Sequence, residues 1–241
     1  MITDGAAMRQ IQASATRDWY RITNRADAAP EVFIYGEIGW DPAGVVADDL
    51  VRDLSAIDSE EITVRINSPG GSVFGGIAIY NALRTHPANV TVLVDSMAAS
   101  IASVIAQAGD VRRMVQHSQM MIHEANGIAI GSGKEIREYA SLLDKQSDLI
   151  ARIFAERSGK PEAIFRALMA NETFFSAEEA VETGLADEVM VPARREPDNL
   201  MVTDSTTTDS VEPKILETEE ADKPEEVKPT RPPTDFSDLF K

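Results

Sequence analysis

No cysteine occurs in the 241 residues of this chain. Disulfides, thiolate metal sites and a cysteine nucleophile are therefore excluded. Histidine is scarce as well: His86, His117 and His123 show no ligand spacing, so neither a metal nor a cofactor is expected. Positive charge is short. The 23 basic residues stand against 40 acidic ones, a formal net charge of −17. A nucleic-acid binder presents a basic face, so that class is set aside. Long apolar runs are missing too. Nothing approaches the roughly 20 residues that span a bilayer, and the first thirty residues lack a basic-then-apolar signal segment. The expectation is a cytoplasmic protein without membrane contact.

What is present is enough apolar sequence, 43%, to bury the core of one sizeable domain with or without a tail. The charge is unevenly spread, because residues 196–241 alone hold 13 acidic and 5 basic residues. Residues 193–241 are rich in Thr, Glu, Lys and Pro and nearly free of aromatics. Such a segment cannot bury enough surface to offset its ordering entropy, so it reads as a disordered acidic tail. Its tip, DFSDLF, has the apolar anchors of a docking peptide. Residues 1–30 are mixed and polar, with DWYRITNRADAAP fit for an edge strand and a turn. The folded domain is expected over 31–192.

Within that domain VFIYGEIG, EITVRINS and VTVLVD read as strands, and VRRMVQHSQMMIHEA as a strand pair. DPAGVVADDLVRDLSAI reads as a helix with Pro42 in its first turn, and PGGSVFGGIAIYNALRTH as a loop running into a helix. A helix of about 25 residues, roughly 37 Å long, starts at a capping box of Ser132 and Glu135 and stops at Gly159. Two shorter helices follow, one from Pro161 and one capped by Ser176 and Glu179 with Gly184 as its stop. Strands alternating with helices give an α/β domain with largely parallel pairing.

Three places carry candidate chemistry. SPGGSVFGG is glycine-rich but is neither a P-loop nor a dinucleotide fingerprint. It is a tight turn, or a place where backbone N–H groups receive an oxyanion or an extended peptide. Ser96, Ser100 and Ser103 lie near a strand-to-helix corner in VDSMAASIASVIAQAGD. A serine needs a base before it attacks, whereas small residues of this kind also let a helix pack closely. His86 falls in a surface turn and His117 in a polar strand stretch. His123 ends an apolar strand, where it can serve as a base or be merely hydrogen-bonded. The residues alone leave these alternatives open.

Taken together, INSPGGSVFGGIAIYNAL, DSMAASIASVIAQAG with MMIHEA, and ETFFSAEEAVETGLAD resemble, in order and spacing, the ClpP family of serine peptidases. The resemblance covers Glu31 to Val191. It implies a ClpP/crotonase-like α/β fold of repeated β-β-α units, with the long helix as a protruding handle and subunits associating into rings. It also implies Ser100 as nucleophile, His123 as base and Glu172 as the third member, where the housekeeping enzymes carry Asp. The oxyanion hole maps to the N–H groups of Gly71 and Ile101, and a substrate strand would lie beside Ser68, Pro69 and Gly70. Ser96 and Ser103 become packing residues.

The N-terminal segment does not resemble the loops that engage an unfoldase ATPase. WYRIT…VFIYGEIG and the acidic tail resemble instead the ClpP-like proteases of phage head modules. The expectation is a serine endopeptidase that cuts scaffold or capsid protein in the host cytoplasm or within the prohead. The alternatives are a housekeeping subunit fed by an unfoldase, an acyl-CoA enzyme of the crotonase type, and an inactive structural homologue.

Overall fold

A computed structural model describes residues 19–25, 28–39 and 47–192. The chain divides into two units, 1–194 and 195–241; the second, and with it the acidic tail, lies outside the described residues.

The strands of the first unit are β1 (Tyr20–Arg25), β2 (Ala28–Ile38), β3 (Glu61–Gly71), β4 (Asn89–Ala99), β5 (Val111–Val115), β6 (Gln119–Ile122), β7 (Thr173–Ser176) and β8 (Glu188–Met190). The helices are α1 (Ala47–Ser55), α2 (Val73–Arg84), α3 (Ile101–Ala106), α4 (Gly133–Ser158), α5 (Glu162–Ala170) and α6 (Ala177–Thr183). The sheet runs β1-β2-β3-β4-β5-β8, with β6 joined to β4 and to β7. Pairing is parallel from β2 through β5 to β8 and between β4 and β6. Only β1–β2 and β6–β7 are antiparallel.

Alternation in β2, β3 and β4 builds the core. Val32, Val64 and Val92 stand side by side across the three strands, as do Ile34, Ile66 and Val94. All six are essentially inaccessible, and each such side chain contributes about 1.5–3 kcal/mol of apolar burial, an upper estimate because the unfolded chain is itself partly compact. The opposite face bears Phe33, Arg65, Leu93 and Arg113 in one row. There the Asp95 carboxylate accepts from the Tyr35 hydroxyl at 2.5 Å and from Arg65 at 2.5 and 2.9 Å. Burial and the Asp95 carboxylate together push the Tyr35 phenol above its usual range.

The handle helix follows its capping signals. Ser132 accepts from the Glu135 N–H, Glu135 accepts from the Ser132 N–H, and Gly159 closes the helix in the left-handed conformation. These hydrogen bonds from Ser132 hold the Glu135 carboxyl below its usual range. The helix has 26 residues, about 39 Å. Its buried residues Ser147, Ile150, Ala151, Ile153 and Phe154 are confined to the second half, so the first half projects from the domain. No described helix is long and apolar enough to cross a membrane.

Two expectations need correction. β5 and β6 are not a strand pair: they run parallel to different stretches of β4, at Thr91–Val94 and Met97–Ala99. His117 sits in the turn between them at φ 76° rather than in a strand. The small-residue stretch is strand as far as Ala99, and the helix after it has only six residues. β6 supplies the partner that keeps Met97–Ala99 extended.

Candidate active site

Ser100 stands where β4 ends and α3 begins, at φ 56° and ψ −128°. A non-glycine residue pays about 1–3 kcal/mol for such a conformation, so the surroundings must impose it. They do so through three hydrogen bonds. The Ser100 N–H donates to Met121 O at 2.9 Å, its carbonyl accepts from the Ser103 N–H at 3.0 Å, and the Ser103 hydroxyl donates to the same carbonyl. The corner points the side chain outward, beside the end of β6.

Because β6 pairs with the last residues of β4, His123 arrives directly beside Ser100. Its Nε2 lies 2.8 Å from Ser100 Oγ, which is hydrogen-bond distance for proton transfer. The structure thus brings together two of the residues singled out in the sequence. His86 stays in its turn, where Nδ1 accepts from the Ala88 N–H. Ser96 is exposed on β4, and Ser103 is buried.

The glycine turn closes the other side. Gly70 and Gly71 adopt φ 102° and 144°, which side-chain-bearing residues rarely reach. The Ser68 hydroxyl donates to Gly36 O at 2.6 Å and accepts from the Gly70 N–H at 3.1 Å. Ser68 and Gly70 are buried, whereas Pro69 and Gly71 are exposed. The Ser68 side chain is occupied within the turn, so a substrate would meet this segment through its backbone. Gly71, Ser100, Ile101 and His123 line one cavity of about 40 Å³, whose apolar wall includes Ile122, Ile150 and Phe154. Ile101 is the first residue of α3, and a helix's first N–H groups have no intrahelical acceptor. A second cavity of about 210 Å³ opens alongside, between Gly71–Phe74 and the handle residues Tyr139, Leu142, Leu143 and Gln146.

Glu172 is placed differently. Ile122 pairs with Thr173 in the antiparallel β6–β7 register, which brings Glu172 opposite His123 along the backbone. Its side chain is exposed and its φ is 46°. No hydrogen bond joins it to His123 among the described residues. The Nδ1 atom of His123 faces the Asn126 amide instead, at 3.4 Å. Glu124, the neighbour of His123, is paired with Arg166 of α5 at 3.2 Å, and Arg166 reaches Asp148 on α4 at 3.3 Å.

Beneath α3 runs a buried polar chain that sequence reasoning missed. The Gln107 amide donates to Ser103 O at 3.1 Å and to Leu185 O at 3.2 Å, and its oxygen accepts from Arg112 at 2.8 Å. Arg112 in turn is held by Asp187. Burial pushes the Asp187 carboxyl up, but hydrogen bonds from Arg112 outweigh it and hold the group below its usual range. The available signal was a lone glutamine in the apolar run ASVIAQAG, since a buried polar side chain must find partners.

This arrangement can run acyl transfer: a hydroxyl beside an imidazole, with a strained corner and a glycine turn framing the place where a carbonyl would sit. Comparison with known proteins agrees. Residues 14–193 match the family model described as Clp protease. A relative from Ligilactobacillus salivarius, named ATP-dependent Clp protease proteolytic subunit, is 37% identical over 182 residues, which cover 74% of this chain and 92% of that protein. One of the same name from Pleurastrum terricola is 33% identical over 172 residues, 70% of this chain and 88% of the relative. The chain belongs to the Clp protease family and is a serine peptidase.

Proposed function

We propose that this peptidase is an endopeptidase that cuts capsid or scaffold protein during phage prohead maturation, working as a ring-forming oligomer. The observation that carries the catalytic part is the 2.8 Å approach of His123 Nε2 to Ser100 Oγ at the mouth of the Gly71–Ile101 cavity. The viral assignment is supported by the N-terminal strand segment and the acidic tail, which resemble the head-module proteases.

In this reading Ser100 Oγ attacks the scissile carbonyl and gives its proton to His123 Nε2. The oxyanion is received by the N–H groups of Gly71 and Ile101, each such donor being worth about 3 kcal/mol in the transition state. The imidazolium returns the proton to the leaving amine, and the C–N bond breaks. Water, deprotonated by His123, then hydrolyses the acyl-serine and restores the site. Glu172 supplies negative charge near the imidazolium. The substrate lies extended beside Ser68, Pro69 and Gly70, bonded through the main chain. No metal or cofactor takes part.

The names of the two relatives favour a second reading, a proteolytic subunit served by an ATP-dependent unfoldase. The two separate in one experiment. The purified protein and its Ser100→Ala variant are incubated with folded scaffold and capsid proteins, with and without an unfoldase and ATP. Discrete fragments without ATP, absent in the variant, support prohead maturation. Cleavage that appears only with the unfoldase and ATP supports the second reading.

A further inference from the structure

For Nε2 of His123 to accept the Ser100 proton, Nδ1 must carry the ring's own proton and donate it to something. In this structure the group opposite Nδ1 is Asn126, at 3.4 Å, and not the carboxylate of Glu172. The atom placed there is Nδ2, but the two ends of an amide are told apart only by their hydrogen bonds. Turning the amide over puts Oδ1 against the Nδ1–H, the pairing that the chemistry requires. Asn126 lies three residues after His123 in the unpaired segment that leads to α4, and it lines both the Ser100 cavity and the neighbouring one.

We propose that Asn126 is the positioning residue for His123, and that the tasks a single triad acid usually performs are divided here. Asn126 fixes the tautomer and the ring orientation through the hydrogen bond. Glu172, opposite His123 in the β6–β7 register, stabilises the imidazolium through space by its charge. The arrangement makes the site a Ser–His–Asn set with a detached carboxylate. It rests on the peptidase reading above.

The division follows from the backbone. Glu172 is held at φ 46° before β7, with its side chain outside the Ser100 cavity, whereas Asn126 shares that cavity with His123. A neutral amide with its oxygen against Nδ1–H also orients the ring, but gives the imidazolium less support than a carboxylate does. Beside His123 in the chain is Glu124, whose partner Arg166 also reaches Asp148 on α4, and opposite it in the β6–β7 register is Glu172. Glu124 and Asp148 are both engaged by Arg166, whereas Glu172 makes no ion pair among the described residues.

The test uses the full chain and Asn126→Ala, Asn126→Asp and Glu172→Gln. Two readouts are taken against pH: the rate of labelling by a fluorophosphonate, and hydrogen–deuterium exchange at the His123 ring carbon, which follows ring protonation without needing activity. Asn126→Ala is expected to lower the labelling rate about tenfold, the effect of one lost hydrogen bond. Asn126→Asp should restore the rate and move the His123 midpoint upward, because a carboxylate at Nδ1 favours the charged ring. Glu172→Gln should lower the midpoint while retaining more of the rate than Asn126→Ala does. The proposal is overturned if Asn126→Ala labels like wild type while Glu172→Gln loses labelling. Should wild type resist the probe altogether, the peptidase reading falls. The exchange data still decide the contact: a midpoint raised in Asn126→Asp supports it, and an unmoved one overturns it. Asn126 is exposed, so its variants are expected to fold.

Discussion

Gly70 is packed against Ser100 so closely that a methyl group there would stand 2.6 Å from Ser100 Cβ and 2.9 Å from the Ala99 carbonyl oxygen. Its φ of 102° adds a second obstacle to any side chain. The turn and the serine corner are therefore one unit: moving either displaces the other. Gly70→Ala is expected to lower the fluorophosphonate labelling rate at Ser100 by about a hundredfold or more. It should also destabilise the domain by roughly 2–3 kcal/mol, from backbone strain and overpacking. Gly133→Ala is the control. Its new methyl meets nothing closer than 3.4 Å, at the end of the flexible Arg137 side chain, so labelling should be unchanged. Labelling rates and urea midpoints of the two variants, read side by side, check both statements.

Arg112 has a side chain only 8% exposed, and its carboxylate partner Asp187 is 37% exposed. Removing the carboxylate leaves the guanidinium largely buried without its counter-charge. Asp187→Asn should cost on the order of 2 kcal/mol at neutral pH, a charged hydrogen bond discounted for solvent screening on the Asp187 side. Because the folded-state pKa of Asp187 is depressed, its contribution is present above the unfolded pKa of about 3.9 and is lost as pH falls through the folded value. The gap in urea midpoint between wild type and variant should therefore be full at pH 7. It should shrink only below about pH 4. A gap that stays constant from pH 7 to the acid limit of folding would contradict this.

Phe154 is completely buried, tilted against Phe165 at a centroid distance of 5.7 Å, and it walls the cavity beneath Ser100. Phe154→Ala should cost about 3–5 kcal/mol of stability. Its enlarged cavity should also shift peptide preference toward bulkier side chains at the cleaved bond. Denaturant titration and a peptide series varied at that position would measure the two effects. Unchanged preference would place the substrate side chain elsewhere, the larger neighbouring cavity being the first alternative.

How much of this was legible in the sequence depended on whether the cause was local. The handle helix and α6 were readable almost to the residue, because Ser132 with Glu135, Ser176 with Glu179, and the glycines at 159 and 184 act within one turn of the chain. The extension of β4 through Ala99 was not. Met, Ala and Ser have little preference for strand, and the segment is extended because β6 lies beside it. For the same reason the stretch around His117 looked like a strand pair. Spacing shows that two short strands are consecutive, not that both will pair with a third.

The site divides in the same way. The glycines of the turn and a serine near a strand-to-helix corner could be picked out from residue types. The choice of Ser100 over Ser96 and Ser103 came from family resemblance, and the geometry sets Ser100 beside His123. Asn126 gave no signal at all. Its approach to Nδ1 depends on the course of an unpaired loop, and no period or cap encodes that. Gln107 gave a faint one, since Arg112 is only five residues on but Leu185 stands 78 residues along the chain.

The central claim is that Ser100 is a nucleophile activated by His123. It is tested most directly by fluorophosphonate labelling of the purified protein, with the modified peptide mapped by mass spectrometry. A single adduct on Ser100 is predicted, absent from Ser100→Ala and formed at least a hundredfold more slowly in His123→Ala. An unlabelled wild-type protein in every oligomeric state, or an adduct on another serine, would contradict it.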